Sequence, residues 1–342
     1  MKNSPDRAPL HSPRFFTEEA GGVRCGLCPH GCSIKSGNFG RCGVRGNKSG
    51  RGIIPFYGFV SALAMDPIEK KPLYHFRPGS AVLSLGFTGC NLRCPFCQNW
   101  RISQDTAAQG RYMKPEEAVS AALRENSPSI AYTYSEPLVH AEYLLDCMSL
   151  ARKHGIANVL VTNGCVRAEA ASEILPLSDA ANIDLKCFSP ETYSKVLGGD
   201  LQTVLDFIAL ALRAGVHVEI TTLIVPDLND TEEELVRCAD FIAGLPETPW
   251  HLSAYHPDYR WNAPQTDPAF LLRTAERARK KLRYVYTGNI AAEKNDTLCP
   301  HCGEVLVRRR AYRVDAGGLA SPAGGERFYR CAACGGKTGI VG

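Results

Sequence analysis

Ala81-Val-Leu-Ser-Leu-Gly-Phe-Thr-Gly-Cys90-Asn-Leu-Arg-Cys94-Pro-Phe-Cys97-Gln-Asn-Trp100 decides how the rest of the chain is read. The apolar run to Phe87 has the length of a buried strand, and it empties into a turn carrying three cysteines separated by three and two residues. A structural zinc site or an ordinary electron-transfer cluster takes four protein ligands, so a loop offering three predicts a metal centre with one open position. An open position is where a substrate can bind.

Working outward from that loop, five further apolar runs follow at Ile130–Tyr134, Asn158–Val161, Ala181–Leu185, His217–Val225 and His251–Tyr255. Helical candidates lie between them at Pro115–Arg124, Leu138–His154, Arg167–Leu175, Leu201–Ala214 and Thr231–Ala243. This alternation predicts repeated βα units and a parallel sheet. The last helix opens on a Thr231/Glu234 capping box and stops at Gly244. Six units suit an incomplete, TIM-like (β/α)6 barrel, because a full eight-unit barrel takes about 250 residues; a doubly wound open sheet is the alternative. In both, functional side chains gather at the carboxyl ends of the strands.

Within the 342 residues, 44% are apolar and 22% charged, the balance of an α/β globular chain with a real core. Lys plus Arg (39) against Asp plus Glu (35) leaves +4, too even for a nucleic-acid or membrane-surface protein, so neither partner is expected. No signal-peptide pattern opens the chain, and no apolar run approaches the roughly 18 residues of a membrane span, so a cytoplasmic protein is expected. Fifteen cysteines in a reducing compartment point to metal ligation, not disulfides. The expected divisions are a disordered lead-in (1–22), a Cys-rich metal-binding segment (23–52), a docking arm (53–79), the partial barrel (80–290) and a zinc-ribbon-like tail (291–342).

Cys90, Cys94 and Cys97 resemble the CxxxCxxC loop of the radical S-adenosylmethionine (SAM) enzymes. The resemblance implies a 4Fe-4S cluster held through three irons, with SAM on the fourth. Reductive cleavage would then yield a 5′-deoxyadenosyl radical that abstracts hydrogen from substrate. Phe96 matches the aromatic residue that the family places against adenine.

Later strand ends carry Tyr134-Ser135-Glu136-Pro137, Thr162-Asn163-Gly164, Asp184-Leu185-Lys186 and His256-Pro257. Each taken singly reads as a helix cap or a satisfied polar residue. Together they look like the SAM-receiving turns of the pyruvate formate-lyase activating enzymes, which implies cofactor contacts at Ser135, Glu136, Thr162, Asn163, Asp184, Lys186 and His256. The match departs where Tyr134 and Ser135 replace two glycines, and where Val161 replaces a common acidic residue.

The segment Val60-Ser-Ala-Leu-Ala-Met-Asp66-Pro-Ile-Glu-Lys-Lys-Pro-Leu-Tyr74-His75-Phe narrows the resemblance to the AmmeMemoRadiSam-system radical enzymes. This implies Memo-type and AMMECR-type proteins as partners, a low-potential donor such as flavodoxin or ferredoxin, and a small-molecule or peptide substrate. The alternatives are a glycyl-radical-enzyme activating enzyme and a non-catalytic module organised by zinc. Tyr74 and His75 are expected to dock the arm, with the active-site mouth as the other placement.

Cys299-Pro-His-Cys302-Gly and Cys331-Ala-Ala-Cys334-Gly form two knuckles that favour structural Zn2+. A hairpin with Gly317, Gly318, Gly324 and Gly325 at its tip would absorb the 28 residues between them. Cys25, Cys28, Cys32 and Cys42 are irregularly spaced and suit zinc or an auxiliary iron-sulfur cluster equally. His30 and His301 stand beside ligands without joining them. Cys147 and Cys238 read as core, Cys165 and Cys187 as core or pocket wall, and Arg308–Arg310 as a solvated face.

Overall fold

A computed structural model describes residues 11–342 except 106, 108, 292–294, 311–312 and 322–325. Its centre is a sheet of seven parallel strands among the described residues: β1 Ala81–Phe87, β2 Ser129–Thr133, β3 Ala157–Thr162, β4 Ala180–Asp184, β5 His217–Ile224, β6 Trp250–Ala254 and β7 Val285–Gly288. They stand side by side in chain order, with β1 paired to β2 at Leu83↔Ile130 and β6 to β7 at Trp250↔Val285. A doubly wound sheet reverses its order at a switch point; unbroken order curls one way, as a barrel does. The alternative open sheet is therefore set aside, and Val285–Gly288 adds a seventh strand to the six expected.

The helices outside the sheet are α1 Pro115–Arg124, α2 Ala141–Lys153, α3 Ala168–Ile174, α4 Leu201–Arg213, α5 Glu232–Ala243 and α6 Pro268–Ala278. α4 shows why such segments fold: Asp200 caps it by accepting from Thr203 N at 2.8 Å, and Leu201, Val204, Phe207, Ile208 and Ala211 form one buried stripe. The helix expected over Leu138–His154 begins as a 3-10 turn at Pro137–His140. α6 was missed, although Asp267 before Pro268 is a start signal, and its carboxylate accepts from Ala269 N and Phe270 N.

Four further expectations are corrected. The lead-in is not unstructured to residue 22: Phe16–Glu19 pairs with Gly22–Cys25, and the Phe16 ring lies under the Arg45 guanidinium. Residues 1–10 lie outside the described part. The arm is sheet, not only a dock: Phe59–Pro67 runs antiparallel beside β1 from Val60↔Phe87 to Pro67↔Ala81. Its polar Asp66 and terminal Pro67 hide a strand pattern that an edge position tolerates.

Arg309 is not solvated. Strand alternation turns it inward between exposed Arg308 and Arg310, and it donates to Thr297 Oγ1 (2.7 Å) and Tyr74 O (2.7 Å). The tail's spacer is divided between two small three-stranded sheets, not one hairpin, and Gly324 and Gly325 lie outside the described residues. Cys147, Cys165, Cys187 and Cys238 are all fully buried, so none lines an open pocket.

The tail and arm close the amino-terminal end of the sheet. Val341 N donates to His75 O at 2.8 Å, and His75 Nε2 lies 2.7 Å from Tyr286 Oη. Beneath them the Glu219 carboxylate accepts from His75 N, His217 Nε2 and His251 Nε2. Burial pushes His75 down to about 3, so the folded chain keeps it neutral while an unfolded chain protonates it near its ordinary value. Stability from this site is complete above about pH 6.5 and declines as pH falls towards 3, by about 3 kcal/mol at about pH 4.5. Denaturant melts of wild type and His75→Gln at a series of pH values should show a flatter acid limb for the variant; parallel limbs would refute the assignment.

Candidate active site

Cys90, Cys94 and Cys97 follow directly from the carboxyl end of β1, with Cys94 buried and the other two half-buried. Gly89 has φ +90°, and a side chain there would press its Cβ to 2.5 Å from Cys42 O, so only glycine permits this turn. Leu92 N donates to Cys90 Sγ at 3.3 Å, and the Ser103 hydroxyl lies 3.1 Å from Cys97 Sγ. Burial pushes the Cys94 thiol up to about 11, with the Lys186 ammonium opposing it. Lys186 in turn donates to Asp184 Oδ2 at 2.9 Å.

The turns after β2 and β3 are locked to one another. Glu136 is 1% exposed and accepts from Leu138 N (3.0 Å), Thr162 Oγ1 (2.6 Å) and Asn163 N (2.8 Å). Burial still carries its carboxyl up to about 7 against those donors. Asn163 Nδ2 donates to Asn91 Oδ1 at 2.9 Å and to Cys90 Sγ at 3.6 Å, while its Oδ1 accepts from Cys165 N. Glu136, Thr162 and Asn163 therefore use their polar atoms on the scaffold and brace the cysteine loop. Ser135 Oγ, by contrast, is buried without a hydrogen-bond partner, as is Thr88 Oγ1 beside the loop. Unpaired buried hydroxyls are costly and mark where a polar ligand would be satisfied.

The segment after β6 closes over the loop from the other side. His256 is exposed, with Nε2 3.1 Å from Gln98 Nε2. Arg260 N donates to Pro95 O at 2.8 Å, and Tyr259 stacks on Trp100 with ring centroids 5.2 Å apart. Phe96 is buried in the main core. Asn91, Gln98, Ser103 and Tyr259 were missed in the sequence; the polar loop after His256-Pro257 was the available signal for the last. Between the ends of β6 and β7 and the arm lies a cavity of about 220 Å3, lined in part by Lys70, Tyr74, His251, Ser253, Thr287 and Asn289.

The cysteine groups differ in spacing. Among the described residues, Cys299, Cys302, Cys331 and Cys334 are the only group of three or more metal-ligating side chains whose ligand atoms all lie within 4.8 Å of one another. Cys299–Cys334 and Cys302–Cys331 sulfurs are each 3.7 Å apart, against about 3.8 Å for the tetrahedral edge implied by Zn–S bonds. The Cys90, Cys94 and Cys97 sulfurs are not drawn together to that spacing. The three-thiol donor set and the orphaned hydroxyls fit a 4Fe-4S cluster with one iron free of protein.

A parallel partial barrel with a three-thiol loop at the carboxyl end of its first strand has the donor set of an iron-sulfur enzyme. The radical SAM superfamily model matches residues 85–242, so the chain carries a radical SAM domain there. An uncharacterized protein of Methanocaldococcus jannaschii is 42% identical over 329 residues, covering 93% of this chain and 96% of its own. The pyruvate formate-lyase-activating enzyme of Clostridium pasteurianum is 28% identical over 168 residues, 46% of this chain and 68% of its own. A crystallised domain of such an enzyme from Bacteroides vulgatus gives a TM-score of 0.42 at 21% identity, covering 47% of this chain and 99% of the domain. The protein is thus a radical SAM enzyme with a 4Fe-4S cluster and SAM as cofactors, and the zinc-only binding module is not favoured. Among the described residues no helix is long and apolar enough to cross a membrane.

Proposed function

We propose that Cys90, Cys94 and Cys97 hold the cluster and that Ser135, Asp184, Lys186 and His256 receive SAM, with Phe96 beside the adenine. The cluster, when reduced, supplies the electron that splits SAM and generates the hydrogen-abstracting radical. The chain's part is to position: Lys186 offers a cation to the SAM carboxylate, Asp184 and the unpaired Ser135 hydroxyl offer acceptors to its ammonium. Glu136, Thr162 and Asn163 hold the turns that form the pocket wall.

The observation that carries this reading is the orphaned Ser135 hydroxyl beside a braced three-thiol loop. An anaerobic sample reduced by one electron per cluster should cleave SAM to methionine, with 5′-deoxyadenosine formed as the nucleoside radical takes a hydrogen atom from substrate, buffer or protein. A fully loaded cluster that leaves SAM intact would end the proposal.

The substrate reading is a small polar molecule or peptide segment entering the cavity between β6, β7 and the arm, because the lining carries Ser253, Thr287 and Asn289. The arm segment Val60–Phe76 supports membership of the AmmeMemoRadiSam system, with Memo-type and AMMECR-type partners and a flavodoxin or ferredoxin as cytoplasmic donor. A glycyl-radical activase is the second reading, favoured by the likeness to the Clostridium pasteurianum activating enzyme.

The tail is proposed to bind one structural Zn2+, supported by its sulfur spacing. His301 is turned to Lys337 O at 3.0 Å and is not needed as a ligand. Cys302→Ser should remove zinc and expose the tail to limited proteolysis while leaving the iron content unchanged, since tail folding depends on the metal. Full zinc retention would reject the site.

A further inference from the structure

The amino-terminal cysteine group sits against the catalytic loop. Cys28-Pro29-His30 leads to His30 Nε2, 2.9 Å from Asn91 O, one residue beyond Cys90. On the other side Cys42 O packs on Gly89, one residue before Cys90, so closely that any side chain there would collide with it. Two of the four amino-terminal thiols thus belong to segments that touch both flanks of one catalytic ligand.

The four thiols occupy one buried neighbourhood. Cys25, Cys28 and Cys42 are buried, and Cys32 is half-buried. Cys25 N donates to Cys32 O at 2.9 Å, bringing the ends of the Cys25–Cys32 loop together. Arg41 N donates to Cys32 Sγ at 3.4 Å, placing the Cys42 segment beside it.

Among the described residues no three of Cys25, Cys28, Cys32 and Cys42 converge as tightly as the tail's thiols do. What favours a cluster over zinc is the contact of these segments with the catalytic loop, where an electron is needed. With four thiols it has no open corner, so it suits electron storage and not substrate binding.

We propose that Cys25, Cys28, Cys32 and Cys42 ligate an auxiliary iron-sulfur cluster that passes electrons to the catalytic cluster through the His30–Asn91 and Cys42–Gly89 contacts. One electron enters from a low-potential protein donor, which is oxidised, and reduces the auxiliary cluster. That electron then moves inward, reoxidising the auxiliary cluster and reducing the catalytic one. No bond is made or broken in the transfer. The relay rests on the radical SAM reading, but the cluster itself does not require SAM chemistry.

The first test is therefore a metal and sulfide count on the full chain with Cys90, Cys94 and Cys97 all replaced by Ala, reconstituted without oxygen. About two to four irons, with matching sulfide and an EPR signal on reduction, are expected beside about one zinc. A colourless chain with about two zincs would overturn the proposal. Should that variant not fold, wild type decides: iron beyond the approximately four of the catalytic cluster supports it, and about four irons with about two zincs refutes it.

The second test uses Cys28→Ser/Cys42→Ser. It should lose several-fold in SAM cleavage driven by reduced flavodoxin and much less when titanium(III) citrate, a small reductant, reaches the catalytic cluster directly. Equal losses with both reductants would reject the relay even if the cluster is present.

Discussion

Cys94→Ala is expected to abolish reductive cleavage of SAM, leaving no 5′-deoxyadenosine above a no-enzyme control. With two thiols remaining, the loop can no longer hold a cubane through three irons, and Cys94 is the buried member of the set. The tail should keep its zinc, since Cys299, Cys302, Cys331 and Cys334 form a separate group. Metal analysis and circular dichroism on the same sample distinguish a lost cluster from a lost fold. Normal turnover by a folded Cys94→Ala chain would remove the basis for assigning chemistry to this loop.

The second large effect is at Glu136. Alanine there strips partners from Leu138 N, Thr162 Oγ1 and Asn163 N in a buried site, each costing about 1–3 kcal/mol if left unpaired. Because the buried carboxylate is itself costly to desolvate, the net loss should fall near about 3–4 kcal/mol in denaturant melts. Asn163 would also release Asn91 and Cys90, so iron loading should fall together with stability. Loss of stability with full iron retention would show that the brace does not reach the loop.

Glu136→Gln separates charge from shape. Burial raises the Glu136 carboxyl to about 7, above its unfolded value, so its stabilising contribution is present at low pH and is lost as pH rises through about 7. Wild type should lose about 1 kcal/mol relative to the glutamine variant between about pH 6 and pH 8. An unchanged difference across that range would mean the carboxylate is not desolvated.

Legibility followed how local each signal was. The loop Cys90–Cys97 stands out in the sequence because a ligand count is legible over eight adjacent residues. The parallel units were readable from alternating apolar runs, and Thr231 marked a helix start as capping requires, whereas the Asp200 cap is a finding of the structure. Arg309 was misjudged because a run of three arginines resembles a solvated face until strand pairing turns the middle one inward. The strand at Phe59–Pro67 escaped because its register is set by β1, not by its own pattern.

The site residues divide in the same way. Ser135, Glu136, Thr162, Asn163, Asp184, Lys186 and His256 were visible as polar side chains at strand ends, but their division of labour was not. That Glu136 is consumed by Thr162 and Asn163, while Ser135 is left unpaired, depends on how the ends of β2 and β3 meet across 26 residues of chain.

Ligand types, their local spacing and the βα rhythm belong to the sequence alone, because each arises among neighbours along the chain. Strand order, the distances between sulfurs and the choice between bracing and binding belong to the tertiary structure. They are set by contacts between segments far apart in sequence, where burial decides which polar atoms must find partners.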